Sequence, residues 1–103
     1  MFPLGDDGFV FTDLPLWRTF CDSIYQLGED SLALASASEA AIDALTDRPH
    51  LQILDLCTGS GVQGIAAALH AAARGVSASL TLLDVNPRSR RFVRANLVLN
   101  GLT

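Results

Sequence analysis

Hydrophobic spacing divides the chain near Pro49. Before it, apolar residues recur with helical period. Leu16, Phe20 and Ile24 are four apart, with Trp17 and Cys21 beside them, which is one stripe of an amphipathic helix. Thr12 or Asp13 can cap this helix, Pro15 fits its first turn, and Gly28 ends it. The dozen residues ahead of it are punctuated by glycine and aspartate and predict irregular chain or a short strand at Phe9-Val10-Phe11. A second helix is expected from an Asp30 cap to about Leu45, with Leu34, Ala41, Ile42 and Leu45 as its buried face. Thr46-Asp47-Arg48-Pro49 is a loop, since Pro49 forbids continuation.

After Pro49 the pattern becomes strand, helix, strand, helix. Leu51–Leu56 is a short apolar run of the kind that forms a buried parallel strand. Val62–Arg74 reads as an alanine-rich helix, its small side chains suited to close packing on a sheet, with Gly75 placed for a left-handed cap. Ala78–Val85 is the next strand. Asn86 caps a last helix with Pro87 in its first turn, and that helix closes at Asn100-Gly101. Two parallel strands joined by a crossing helix make an α/β unit.

Composition narrows the class. A chain of 103 residues is at most one domain, and with half its residues apolar it is globular. A net charge of −4 argues against a general nucleic-acid surface. Arg88, Arg90, Arg91 and Arg94 cluster late and read as a solvated helix face rather than a phosphate-binding patch. Cys21 and Cys57 lack metal-ligand spacing, so no metal site is expected, and a reduced, cytoplasmic protein is the simpler reading. The N-terminus lacks a basic region followed by an apolar core, so no signal peptide is evident, and no apolar run is long enough to span a membrane. His50 and His70 are lone histidines to which no chemistry is assigned.

The candidate chemistry lies where the first of those strands meets its helix. In Leu54-Asp55-Leu56-Cys57-Thr58-Gly59-Ser60-Gly61-Val62-Gln63-Gly64, an apolar strand carries an acid near its end and runs into a glycine-rich turn. Asp84 ends the neighbouring strand. Glycines let the backbone approach a ligand, the helix start directs N–H groups at it, and an acid on the adjacent strand can accept both hydroxyls of a ribose. Gly59, Gly61 and Gly64 also satisfy the three-glycine dinucleotide fingerprint. Asp55, however, precedes the first glycine by four residues, and a carboxylate there would repel a pyrophosphate. It suits a cationic ligand such as S-adenosylmethionine, which has a sulfonium and an ammonium and no phosphate.

Asp55–Gly61 resembles the first motif of class I S-adenosylmethionine-dependent methyltransferases. Leu82-Leu83-Asp84-Val85-Asn86-Pro87, continuing through Arg94-Ala95-Asn96 to Asn100-Gly101-Leu102, resembles their second motif and the helix after it. The nearest flavour is the small-domain group with protein-glutamine and ribosomal-RNA methyltransferases, to whose pre-motif stretch Tyr25–Ser31 is similar. Cys57 stands where many members carry glycine. The resemblance implies a Rossmann-like partial parallel sheet over residues 50–103, the first half of a cofactor-binding domain, behind a helical N-terminal segment or lid over 1–49. It implies that Cys57, Thr58 and Gly59 line the methionine part of the cofactor and that Gly61 allows close approach. Asp55 would hold that edge, Asp84 would accept the ribose hydroxyls, and Val85 and Asn86 would border the adenine. Asp30 and Ser31 would lie near the amino-acid end or the substrate entrance.

Each has a structural reading beside it. Asp55 can cap the glycine turn or the next helix, Asp84 can cap its strand end, Asp30 can cap a helix, and Asn86 is a cap in any case. The Asn-Pro-Pro-Tyr-type segment that holds the acceptor nitrogen in the small-domain group is absent from the sequence, and Asn86-Pro87 belongs to the second motif. The expectation is therefore the N-terminal part of a longer methyltransferase, inactive alone, whose partners are the rest of its own domain and an unidentified acceptor (protein, RNA or small molecule). Two alternatives stay open: an NAD-dependent oxidoreductase, and a non-catalytic split or truncated binding module.

Overall fold

The structure, a computed structural model, describes residues 2–4, 8–12 and 28–102. The helix expected between Thr12 and Gly28, with Trp17, Phe20 and Cys21, lies outside them. The order of elements is β1 (Phe2–Leu4), β2 (Gly8–Val10), α1 (Glu29–Asp43), β3 (His50–Leu56), α2 (Val62–Ala73), β4 (Ser77–Leu83) and α3 (Pro87–Leu99). The protein is a small α/β unit with two separate two-stranded sheets among the described residues. Strands β1 and β2 pair antiparallel, so of the two readings of the chain before Thr12 the short strand holds, over Gly8–Val10 in place of Phe9–Phe11, and Phe2–Leu4 is a strand that was not expected. Strands β3 and β4 pair parallel along their whole length, from His50 opposite Ser77 to Leu56 opposite Leu83.

Side-chain alternation gives the parallel sheet two different faces. Leu51, Ile53 and Asp55, with Ala78, Leu80 and Leu82, are buried or half-buried, whereas Leu54, Leu56 and Leu83 on the opposite face are about half exposed or more. His50 is also on the open face. Its ring nitrogens meet Ser77 Oγ at 2.9 Å and Ser79 Oγ at 2.8 Å, its lateral partner and the next residue on that face. Neither histidine is alone, for His70 Nε2 meets Asp43 Oδ1 at 2.8 Å. The absence of partners expected from the sequence is corrected in both cases.

Helix α2 covers the inner face. Gly64 faces Leu80 and Leu82, and Ala67 and Ala71 pack with Leu51, so helix and sheet approach closely where no side chain of the helix extends beyond a methyl group. Ile42, Leu51, Ala67, Ala71 and Val76 form one core, and Val10, Ile65 and Ala66 form a second that Ala35, Leu97 and Leu102 help enclose. Helix α1 begins earlier than its expected cap. Gly28 is the N-cap and Asp30 lies within the first turn, with Ser31 Oγ accepting from the Gly28 N–H at 3.3 Å. Of its expected buried face, Ile42 is buried and Leu45 half-buried, but Leu34 and Ala41 are exposed. The helix rests on α2 along its length, through Ala35 and Ile42, with Ser31 bonded to Gln63 at one end and Asp43 meeting His70 at the other.

Helices α2 and α3 end alike. The Val76 N–H reaches Ala71 O at 2.9 Å and the Gly75 N–H reaches Ala72 O at 3.0 Å; Leu102 and Gly101 repeat this onto Leu97 and Val98. Both are Schellman caps with a left-handed glycine, Gly75 at φ +73° and Gly101 at +68°. Strand β4 stops at Leu83, two residues short of the expected end, because Asp84 turns its carboxylate back onto the Asn86 N–H at 2.8 Å. Among the described residues no helix is long and apolar enough to cross a membrane.

Candidate functional site

The turn from Cys57 to Gly61 leaves the C-terminal end of β3 beside the C-terminal end of β4. Three of its residues are left-handed: Cys57 at φ +58°, Gly59 at +55° and Gly61 at +89°. Glycine adopts this conformation without cost, and a cysteine does not. The thiol of Cys57 is exposed and free.

Hydrogen bonds from four directions hold the turn. The Thr58 N–H donates to Leu83 O at 2.9 Å, carrying the β3–β4 pairing one step further, and the Gly61 N–H donates to Thr58 O at 2.8 Å. Asp55 Oδ2 accepts from Thr58 Oγ1 at 2.7 Å and from the Gly64 N–H, in the first turn of α2, at 2.9 Å. Asp84 accepts from the Gly59 N–H through Oδ2 and from the Asn86 N–H through Oδ1, each at 2.8 Å. From α3, Ser89 Oγ donates to Gly59 O, and Asn96 Nδ2 donates to Ser60 O at 2.7 Å. Asp55 therefore has the capping role raised from the sequence, with its carboxylate on the N-terminal end of α2, where negative charge is favourable.

A cleft lies on each side of the turn. The smaller, about 180 Å³, is bordered by Asp30, Ser31, Cys57, Thr58, Gly59 and Ser60, with Gln63 at its back. It lies where the first turns of α1 and α2 converge, tied by Gln63 Nε2 donating to Ser31 O at 2.9 Å. The larger, about 530 Å³, has Leu82, Leu83, Asp84, Val85 and Asn86 on one wall and Arg90 and Arg94 of α3 on the other. Thr58 borders both, so the clefts adjoin across it.

The expected residues fall accordingly. Asp30, Cys57, Thr58 and Gly59 meet in the smaller cleft; Asp84, Val85 and Asn86 meet in the larger; Asp55 and Gly61 border neither and support the turn from behind. Asn86 also caps α3, accepting from the Arg88 N–H at 3.0 Å. Of the arginines, Arg90, Arg91 and Arg94 are exposed, and Arg88 stacks over the Phe92 ring with its guanidinium 5.5 Å from the centroid.

Four further residues emerge only here. Ser60 and Gln63 each place a buried oxygen, Oγ and Oε1, with no hydrogen-bond partner among the described residues, and both residues border the smaller cleft. Buried polar atoms in that condition call for a ligand or water. Ser89 and Asn96 hold the turn from behind. A serine between two glycines and an asparagine inside an apolar helix stripe were the only sequence signals. No family model, no curated protein and no solved structure matches the chain.

Proposed function

We propose that the chain is the cofactor-binding part of an S-adenosylmethionine-dependent methyltransferase, its parallel strands the start of a Rossmann-like sheet. The observation that carries this reading is the juxtaposition at the C-terminal ends of β3 and β4. A turn with three left-handed residues lies beside Asp84, just past the end of the neighbouring parallel strand, with adjoining clefts on its two sides. Ligands of open parallel sheets bind at that end of the strands.

The residues fit the group. In the smaller cleft Gln63 Oε1, an acceptor, suits an ammonium and the Ser60 hydroxyl, a donor, suits a carboxylate, neither having a partner among the described residues, with Asp30 at the border. Asp84 is exposed and uses one hydrogen bond per carboxylate oxygen, which leaves acceptor capacity for two ribose hydroxyls. Val85 and the β4 leucines offer apolar surface to a purine. The cofactor, when bound, supplies a methyl group already activated by its sulfonium, so the protein's task is to align an acceptor and exclude water. The residues described here hold and orient the cofactor, and the acceptor is an unidentified protein, RNA or small molecule.

Titration calorimetry with S-adenosylhomocysteine tests the reading. Asp84→Ala is expected to weaken binding about tenfold or more, since hydrogen bonds to a charged group contribute about 1.5–3 kcal/mol. Equal binding by the variant sinks the ribose contact. Protection against thermal unfolding by NAD, with none by S-adenosylhomocysteine, sinks the cofactor assignment.

A further inference from the structure

Helix α3 treats the N-terminal strand as a neighbouring strand would. Asn96 and Asn100 are one helical turn apart, so their side chains lie about 6 Å apart along the axis. Backbone groups on one side of an extended chain repeat every two residues, about 6.6 Å. The near match lets each carboxamide take both polar groups of one residue. Asn100 Oδ1 accepts from the Phe9 N–H at 3.0 Å, and its Nδ2 donates to Phe9 O at 2.6 Å. Asn96 Oδ1 accepts from the Phe11 N–H at 2.6 Å, and its Nδ2 donates to Phe11 O at 3.0 Å. Between them Val10 is fully buried in the core made with Ile65 and Ala66.

Asn96 differs from Asn100 in where its second N–H goes. It donates to Ser60 O at 2.7 Å, in the glycine-rich turn. Asn96 is 0 % exposed, and its donors and acceptor are all spent on two backbone segments remote in sequence. The consequence for the turn is geometric. Ser60 stands between two left-handed glycines, the residues that resist rotation of a peptide plane least. Because the peptide is planar, holding Ser60 O also fixes the direction of the Gly61 N–H, which donates to Thr58 O. Ser89 does the same for the preceding peptide through Gly59 O.

We propose that Asn96 is a positioning residue that couples docking of the extended Phe9–Phe11 segment, the end of β2 and the residue after it, to the conformation of the glycine-rich turn. A ligand held by the turn then also tightens the strand, and a loosened strand weakens the ligand, by the same factor in both directions. For the ligand, this rests on the reading of the turn as the cradle of S-adenosylmethionine.

Asn96→Ala removes all three bonds and can unfold the protein, so the deciding variant is Asn100→Ala, which frees Phe9, gives up a bond to Asn96 O in the last turn of α3 and touches nothing in the glycine-rich turn. Val10→Ala, which shrinks the buried plug, is its companion. Amide hydrogen exchange is followed residue by residue on the whole chain. Phe9 and Phe11 are expected to exchange faster, and Ser60 and Gly61 with them, by a factor in the range of about 5 to 150 typical of coupled sites. Ile53 and Leu80, inside the β3–β4 ladder, should keep their rates. A fast strand beside a turn that exchanges as in the parent overturns the coupling. Calorimetry with S-adenosylhomocysteine separates the two ideas. If the parent does not bind, the cofactor reading falls and the exchange rates still decide the coupling. If the parent binds and Asn100→Ala binds equally well, the coupling falls alone.

Discussion

Gly64 is where one methyl group should cost most. It lies in the first turn of α2, over the inner face of the sheet, and its N–H donates to Asp55. A Cβ built there would overlap Leu82 Cδ2, would lie 2.9 Å from Leu80 Cδ1 and would press on Asp55 Oδ2 at 3.2 Å. Two effects compete in Gly64→Ala. Alanine is the better helix residue by at most about 1 kcal/mol. Overpacking costs about 1–3 kcal/mol, and lifting the helix stretches a hydrogen bond to a carboxylate that contributes about 1.5–3 kcal/mol when intact. Leu80 and Leu82 are half-buried and can yield in part, so the packing term is eased but not removed. The expected net loss is about 1–3 kcal/mol, a fall in Tm of about 5–20 °C for a domain of this size. Urea unfolding and thermal melts measure it. Gly75→Ala is the control, because a Cβ there meets nothing within 4 Å. Its left-handed φ should cost about 1 kcal/mol without disturbing the Asp55 contacts, which the amide shifts of Gly64 and Thr58 report. A Gly64→Ala protein as stable as the parent would refute the close approach of α2 to the sheet.

Two further outcomes concern strain and charge. Cys57→Gly relieves a left-handed non-glycine residue worth about 1–2 kcal/mol against about 0.4–1 kcal/mol of added freedom in the unfolded chain. The urea midpoint should therefore hold or rise slightly, and a clear fall would show that the thiol makes a contact of its own. Asp43 is held below the usual carboxylate range, first by its hydrogen bond from His70, with Arg74 adding attraction against some desolvation. A depressed folded-state pKa stabilises above the unfolded value near pH 4 and ceases to do so as pH falls through the lower folded value. Asp43→Asn should flatten that part of the pH–stability curve, and an unchanged acid limb would show the triad contributes nothing.

Local chemistry legible in the sequence decided the elements after Pro49. The apolar runs marked β3 and β4, Gly75 and Gly101 marked the two Schellman ends, and Asn86-Pro87 marked the start of α3, because each depends only on neighbours within a few residues. The left-handed glycines of the turn were legible for the same reason, whereas the bond from the Gly59 N–H to Asp84, 25 residues on, depends on the pairing of β3 with β4. Only the tertiary structure decided which way each polar group was used. Asp55 turned out to brace α2, because β3 presents it to the inner face under the helix start. Leu34 and Ala41 stayed exposed, because α1 turns the stripe of Ser31, Ala35 and Ile42 toward α2 and those two residues lie to one side of it. His50 and His70 found partners 27 residues away in the chain. Asn96 was one polar residue in an amphipathic helix until folding brought Phe11 from one side and Ser60 from the other within reach of its amide, 85 and 36 residues away. Such contacts have no local signature, since a carboxamide's partners are set by which backbone segments the fold delivers to it.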